Sequence, residues 1–175
     1  MDARTAVPQM LDGLVELLRV GRWSFPVEAL VGADGTVAEL GRDGSLRMIF
    51  GRGRRVRLAN GEEWRIKSSA SGRHIVPIIT SPAGTIAISG PLPAKRSYGI
   101  NGKDWGYFLI PLGHSGVRRA RLWAVRRHET EIAIIDDRHR TIESTEPIPV
   151  AVAVMAFTLL VHGIPGEASL MPERD

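Results

Sequence analysis

The amino-acid sequence predicts a mainly β protein: an antiparallel β-barrel of about ten or more strands wrapped around a buried apolar C-terminal helix, preceded by a short N-terminal amphipathic helix. Three observations predict this fold class. The 175-residue chain has a globular composition, with 43% hydrophobic and 24% charged residues. Glycine and proline separate short runs rich in Val, Ile, Thr and Trp between residues 25 and 144. The last long apolar run, residues 147–166, carries no formal charge.

Residues 7–20 contain the first predicted element. Their apolar side chains recur at helical spacing, with Leu11, Leu14 and Leu18 on one face and charged residues opposite. Gly21 ends the pattern, as glycine commonly does after a helix. We therefore expect an N-terminal helical segment over residues 1–24 that packs on the following domain.

Strands joined by short turns are predicted from residue 25 onward, and the clearest hairpin is centred on Asn60–Gly61. This dipeptide favours a type I′ turn, because both residues tolerate positive φ angles. Before the turn Val56 and Leu58 alternate with arginines, and after it Trp64 and Ile66 alternate with charged residues. The pattern predicts two paired strands with one apolar and one charged face.

A second hairpin is predicted from residues 117–126 and 130–135. Its alternation puts Leu122 and Ala124 on the apolar face and Trp123, with neighbouring arginines, on the other. Because consecutive strands most often pair with each other, sequential antiparallel pairing is the expected topology.

The C-terminal run predicts a central helix over about residues 147–163. Ser144 or Thr145, followed by Glu146 and Pro147, provides a helix start, and a helix that is apolar on all sides must be buried on all sides. The uninterrupted apolar part, residues 150–161, would reach about 18 Å, whereas a bilayer core needs about 30 Å. We therefore expect no transmembrane span, although a C-terminal membrane anchor and a buried strand remain alternatives. The barrel domain is assigned to residues 25–167 and a tail to residues 168–175.

A resemblance follows from this order of elements. A series of antiparallel hairpins ending in a wholly apolar helix resembles the tubby C-terminal-like superfamily, which includes tubby proteins, phospholipid scramblases and the plant LURP-one-related proteins. The similar stretch is residues 25–166, in which an Asp136–Asp137 corner precedes the apolar helix. The resemblance implies the barrel fold and association with membrane lipids. It transfers no binding residue to a position of this chain.

Catalytic and metal-binding signatures are not found in the sequence. The chain has no cysteine, which excludes disulfides, thiol nucleophiles and cysteine-ligated metals. Residues 113–116 lack the final glycine of a nucleophile elbow, and residues 51–56 lack the third glycine of a dinucleotide fingerprint. Asp136–Asp137–Arg138–His139 is interpreted as a structural corner, and the histidines lack metal-ligand spacing. We predict no catalytic residue, metal or cofactor, while an enzyme without a recognisable motif remains an alternative.

Positive charge is concentrated in the middle of the chain, and both ends are acidic. Four arginines, Arg52, Arg54, Arg55 and Arg57, lie within six residues and are predicted to bind phosphate groups of an anionic phospholipid or membrane surface. A nucleic-acid partner is the alternative, disfavoured because aromatic residues are only 6% of the chain and Trp64 falls on the apolar face. A solvated turn without function also remains open. Without cysteines or a visible signal peptide, a cytoplasmic protein, peripheral to a membrane, is expected.

Overall fold

A computed structural model describes residues 9–20, 27–42, 54–71, 74–92, 97–113 and 122–162. These residues form mainly β structure, with one short helix near the end of the described chain. In chain order the strands are β1 Met10–Val20, β2 Val27–Gly32, β3 Gly35–Arg42, β4 Arg54–Leu58, β5 Glu63–Ser71, β6 His74–Ser81, β7 Gly84–Pro91, β8 Tyr98–Asn101, β9 Gly106–Leu112, β10 Leu122–Arg127, β11 Thr130–Asp136 and β12 Thr141–Pro149. Helix α1 is Val150–Phe157, and a π-helical turn, Thr158–His162, continues it.

Over the described residues, the twelve strands form one closed antiparallel barrel in which each strand pairs with its neighbours in the chain. Pairing of β1 with both β2 and β12 closes the ring. Closure gives every strand a partner on both sides, so that no open sheet edge is left to pair with another chain. The sequential antiparallel pairing expected from the sequence is confirmed.

The core of the domain consists of inward-facing side chains from the strands together with α1. Along the strands, buried residues alternate with more exposed ones, as in β4, where Val56 and Leu58 are buried and Arg57 is exposed. This is the period-two pattern of a sheet with one face toward a core. It places most of the charged side chains on the outer surface.

The predicted N-terminal helix is wrong, because residues 10–20 form strand β1 of the barrel. Val15 and Leu17 are buried at alternate positions, whereas Leu14 and Leu18 are exposed. In a helix the leucines would have formed one buried stripe. The strand is favoured because it hydrogen-bonds to β2 on one side and to β12 on the other, which a helix could not do.

Apolar side chains on both faces of β1 explain why its sequence imitates a helix. Gly13 adopts a φ of 69°, and the pairing with β12 shifts between Leu11 and Gly13. The extra residues of this shift lie in β12, so the side chains of β1 still alternate: Leu11, Val15 and Leu17 face the core, and Leu14 and Leu18 lie on the exposed face. Glycine tolerates this left-handed backbone without the steric penalty of a side chain.

The hairpin around Asn60–Gly61 is confirmed as β4 paired with β5, with Val56 opposite Trp64. Its turn differs from the prediction, because Gly61 has a φ of 86° whereas Asn60 does not have a positive φ. The N–H of Gly61 donates to the carbonyl of Leu58, and the N–H of Leu58 donates to that of Glu62. The turn is therefore a three-residue loop with a glycine bulge rather than a type I′ turn.

The pairing of β10 with β11 is confirmed, but the predicted faces of β10 are reversed. Trp123 is buried with the core, whereas Leu122 is exposed. The first part of the predicted strand, residues 117–121, lies outside the described residues. The assignment failed because β10 carries apolar side chains on both faces, so that periodicity alone could not distinguish inside from outside.

The charge-free C-terminal run forms a helix, but α1 begins at Val150 rather than at about residue 147. Pro149 disfavours a helical backbone at Ile148, and residues 147–149 remain in β12. No side chain caps the helix; instead the N–H of Val150 donates to the carbonyl of Gln9, just before β1, at 2.9 Å. The predicted helix start at Ser144 or Thr145 is therefore wrong, because both residues belong to β12.

Helix α1 packs against the barrel and is buried along its whole length. Its residues belong to the same core as the inward-facing side chains of the strands. At the end of α1, the hydroxyl of buried Thr158 donates to the carbonyl of Val154 at 2.7 Å, which satisfies the polar group inside the core. Within the described part of the chain, no helix has the length and apolar character needed to cross a bilayer.

Candidate anion-binding face

The four arginines singled out from the sequence do not form one loop. Arg54, Arg55 and Arg57 lie on β4, whereas Arg52 lies outside the described residues. Because successive strand residues point to opposite sides, Arg54 is on the side of the buried Val56, and Arg55 and Arg57 point outward. Of the three described arginines, two therefore share the outer surface.

Strand β5 adds two cations that the sequence analysis did not include among its site residues. Arg65 lies directly opposite Arg55, and Lys67 follows on the same outward side of β5. We call the surface formed by Arg55, Arg57, Arg65 and Lys67 the basic face. The alternation after Asn60–Gly61 was the signal for these two residues. A search for cations adjacent in sequence misses them, because sheet pairing brings together residues that are far apart in the chain.

Two carboxylates reduce the charge of the basic face without cancelling it. Glu39 and Glu63 lie on either side of Arg57 in the pairing of β3, β4 and β5. Nη2 of Arg57 is 3.2 Å from Oε1 of Glu63, in a pair whose side chains are 59% and 46% exposed. Such an exposed pair contributes at most about 1 kcal/mol and leaves both partners accessible. Arg55 and Arg65 also have interaction partners.

The hairpin turn holds β4 and β5 in the register that creates the basic face. Inward-facing Trp64 donates its indole N–H to Oε1 of Glu62 at 2.9 Å. Oδ1 of Asn60 accepts the backbone N–H of Glu62 at the same distance. These contacts fix the turn, and a register slip of one residue would move the cations inward.

The Asp136–His139 corner has the geometry of a hydrogen-bonded turn. Oδ1 of Asp136 accepts the backbone N–H groups of Arg138 and His139, each at 3.0 Å. Oδ2 of Asp136 lies 2.6 Å from Nδ1 of His139. The hydrogen bond to the His139 side chain, followed by the backbone hydrogen bonds, lowers the pKa of Asp136 below its ordinary value. The carboxylate thus stabilises the turn between β11 and β12, in agreement with the sequence interpretation as a corner.

A second polar cluster surrounds Tyr107, whose side chain is buried on β9. Arg127 and Glu146 form an ion pair at 2.8 Å near this tyrosine. Burial raises the pKa of Tyr107, and this effect outweighs the opposing influence of Arg127. The phenol is neutral at physiological pH, as at its ordinary pKa, and lies buried at the edge of the core.

Metal-ligand geometry is not found in the described ranges, where no three His, Asp or Glu side chains are grouped to hold an ion. His128 lies in the turn between β10 and β11, and His139 lies at the Asp136 corner. His114 and the side chains of His74 and His162 are outside the described residues. The chemistry offered by the basic face is electrostatic: charged donors that attract phosphate oxygens.

Comparisons with known proteins do not add to this picture. No model of a known protein family, no curated protein and no solved structure matches the chain. The resemblance to the tubby C-terminal-like superfamily therefore stays a prediction from the order of elements, and the functional interpretation depends on the geometry of the basic face.

Proposed function

We propose that this protein is a non-enzymatic barrel that binds anionic phospholipid headgroups through the basic face. The observation that carries the proposal is the direct cross-strand pairing of Arg55 with Arg65. Arg57 on β4 and Lys67 on β5 are each two residues further along their strand, on the same outer surface. The pairing gathers charged N–H donors on one outer surface, and such donors bind phosphate oxygens with strong, charge-assisted hydrogen bonds. Cytoplasmic membrane leaflets present such groups at high density. The expected location is therefore peripheral, on the cytoplasmic side of a membrane.

We further propose that the barrel encloses α1, as in the tubby C-terminal-like ground plan. A barrel of about eight strands is filled by its own side chains, whereas one of about 16 leaves a channel. Twelve strands leave a space between these cases, and an α-helix has a diameter of about 10 Å. Burial of every α1 residue supports this placement. The enclosed helix would give the basic face a rigid support.

Nucleic acid is the competing partner, because it presents the same phosphate chemistry. Readers of single-stranded nucleic acid usually place aromatic side chains among their cations, on which bases stack. On β4 and β5 the aromatic residue is Trp64, and it is buried in the core. A surface of cations without a stacking platform favours headgroups over bases.

The test measures binding to vesicles with a fixed fraction of phosphatidylserine. The triple variant Arg57→Gln/Arg65→Gln/Lys67→Gln removes three cations whose side chains are exposed. Each cation near an anionic surface contributes about 1 kcal/mol, so the variant should bind about 100-fold more weakly at low salt. Wild-type binding should weaken as salt is added and should be poor to phosphatidylcholine vesicles.

A matched control separates the basic face from total charge. Arg19→Gln/Lys103→Gln/Arg138→Gln removes the same number of exposed cations from other surfaces. The proposal requires the control to stay within about threefold of wild type. Equal losses in both triple variants would contradict a defined face. Tighter binding to duplex DNA or single-stranded RNA than to vesicles at physiological salt would replace the lipid proposal with the nucleic-acid one.

A further inference from the structure

The outer surface of β1 combines exposed apolar side chains with carboxylates. Four large apolar side chains of this strand are between 44% and 51% exposed: Met10, Leu14, Leu18 and Val20. The alternation of the strand places the exposed carboxylates of Asp12 and Glu16 on the same outward side. Glu143 of β12 is also exposed and lies directly opposite Leu14. We call these four apolar residues and three carboxylates the β1 surface.

The negative charge of the β1 surface is not compensated by nearby cations. None of its three carboxylates forms an ion pair within the part of the chain that the structure describes. Elsewhere on the barrel Glu63, Glu131 and Glu146 each pair with an arginine. Strands β2 and β12 contain no cation, and Arg19 of β1 alternates in phase with buried Leu17, on the opposite side. The β1 surface should therefore attract a partner that carries positive charge.

The basic face of the same chain has the complementary chemistry. The side chain of Arg57 is 59% exposed, and exposed Lys67 has no ion-pair partner among the described residues. Outward residues lie about 7 Å apart along any strand, so cations of β4 and β5 match the spacing of the β1 surface. The methylene groups of arginine and lysine can also cover exposed leucines while their charged ends reach carboxylates.

We propose that the β1 surface of one copy of this chain docks on the basic face of a second copy. Strands β4 and β5 lie three and four strands from β1 in the closed ring, so the two surfaces are on different sides of one barrel. A contact between two different surfaces leaves one of each free on the outer copies, and further copies can add to form a ring or an open chain.

The inference goes beyond headgroup binding, because it gives a role to β1. A neighbouring copy and an anionic lipid would compete for the same basic face. Anionic vesicles should therefore disperse the assembly, and the assembly should weaken vesicle binding as the protein concentration rises.

The first arm of the test measures self-association of the wild type by sedimentation velocity. A small, charged contact predicts a dissociation constant of about 10–100 μM at low salt. At about 1 M salt charges are screened over about 3 Å, so association should weaken at least tenfold. A wild type that stays monomeric up to about 1 mM at low salt would overturn the proposal.

The second arm identifies the two surfaces by complementation. Leu14→Thr/Glu16→Gln/Leu18→Thr changes the β1 surface to residues that suit an exposed strand, and the triple glutamine variant described above changes the basic face. Each variant alone should be monomeric. An equal mixture should form a complex of one copy of each, because each variant keeps the surface that the other lacks. Thermal melts establish that both are folded at the assay temperature.

A matched control tests whether any exposed apolar pair would serve. Phe108→Thr/Leu122→Thr removes two exposed apolar side chains from β9 and β10 and should associate like the wild type. Loss of association in this control, its persistence in the β1-surface variant, or a mixture that does not pair would each overturn the proposal.

Vesicle binding separates this inference from the proposed function. A monomeric wild type that binds anionic vesicles overturns docking between copies and leaves headgroup binding intact. Self-association without vesicle binding overturns headgroup binding and leaves the docking of the β1 surface on the basic face intact.

Discussion

Replacement of Phe157 tests the burial of α1 most sharply. This residue ends α1 with an exposed fraction of 0% and is among the largest fully buried side chains. Truncation to alanine removes a ring from a packed core, and such Phe→Ala changes cost about 3–5 kcal/mol. For a chain of this size each kcal/mol lowers the Tm by about 2–4 °C. The Tm should therefore fall by roughly 6–20 °C.

Phe108→Ala provides the matched control, because it removes the same ring from the outer surface of β9. Its loss should be about 1 kcal/mol, since over a third of the side chain is already in contact with water. Chemical denaturation of both variants, followed by circular dichroism, gives the two free energies of unfolding. Equal losses, or a Phe157→Ala variant as stable as wild type, would refute the placement of α1 in the core.

Three further predictions concern stability. Ala153→Asp buries a charge in α1 at a position with no exposed surface and should leave the chain unfolded in circular dichroism; a folded variant with unchanged Tm would contradict the core position. Gly61→Ala should lower the free energy of unfolding by about 1 kcal/mol through the left-handed backbone alone, because no atom lies close enough to clash with the added methyl group. Gly41 is equally uncrowded but has no positive φ, so Gly41→Ala should cost less in the same denaturant titration. Asp136→Asn should make the free energy of unfolding depend less on pH under acidic conditions. The lowered pKa of Asp136 stabilises the fold above the ordinary value of 3.8, and this contribution is lost as the pH falls below that value. Identical acid unfolding of the variant and the wild type would exclude this role.

The sequence was sufficient to predict the hairpin of β4 and β5, since Asn60–Gly61 is flanked by clean alternation on both sides. It was also sufficient to predict α1, because a long apolar segment without charged residues is stable in water only when it is buried in the core. The start of α1 depends on Pro149, which keeps Ile148 extended, so that the expected helix-start residues belong to β12.

The fate of residues 10–20 could not be predicted from local pattern. Leucines at helical spacing also suit a strand with apolar residues on both faces. The strand forms because its backbone hydrogen-bonds to β2 on one side and to β12 on the other. The pairing of β1 with strands distant in the chain cannot be read from the residues of β1 alone. Trp123 and Leu122 were misassigned for a related reason, because the outer surface of β10 is itself apolar.

The candidate site was predicted only in part. The arginines at 54, 55 and 57 drew attention by their density in sequence, yet β4 turns Arg54 away from the other two. Arg65 and Lys67 joined the basic face through pairing across the hairpin. The alternation in the sequence already carried that information, because Arg65 and Lys67 fall on the charged face of the predicted hairpin.

Flotation of the wild-type protein with vesicles that differ only in lipid charge tests the central claim most directly. Phosphatidylcholine vesicles with and without phosphatidylserine are compared at physiological salt, with the same protein and lipid concentrations. Protein that floats with the anionic vesicles and stays behind with the neutral ones is the predicted result. Protein that floats with neither, or equally with both, would contradict recognition of anionic headgroups by the basic face.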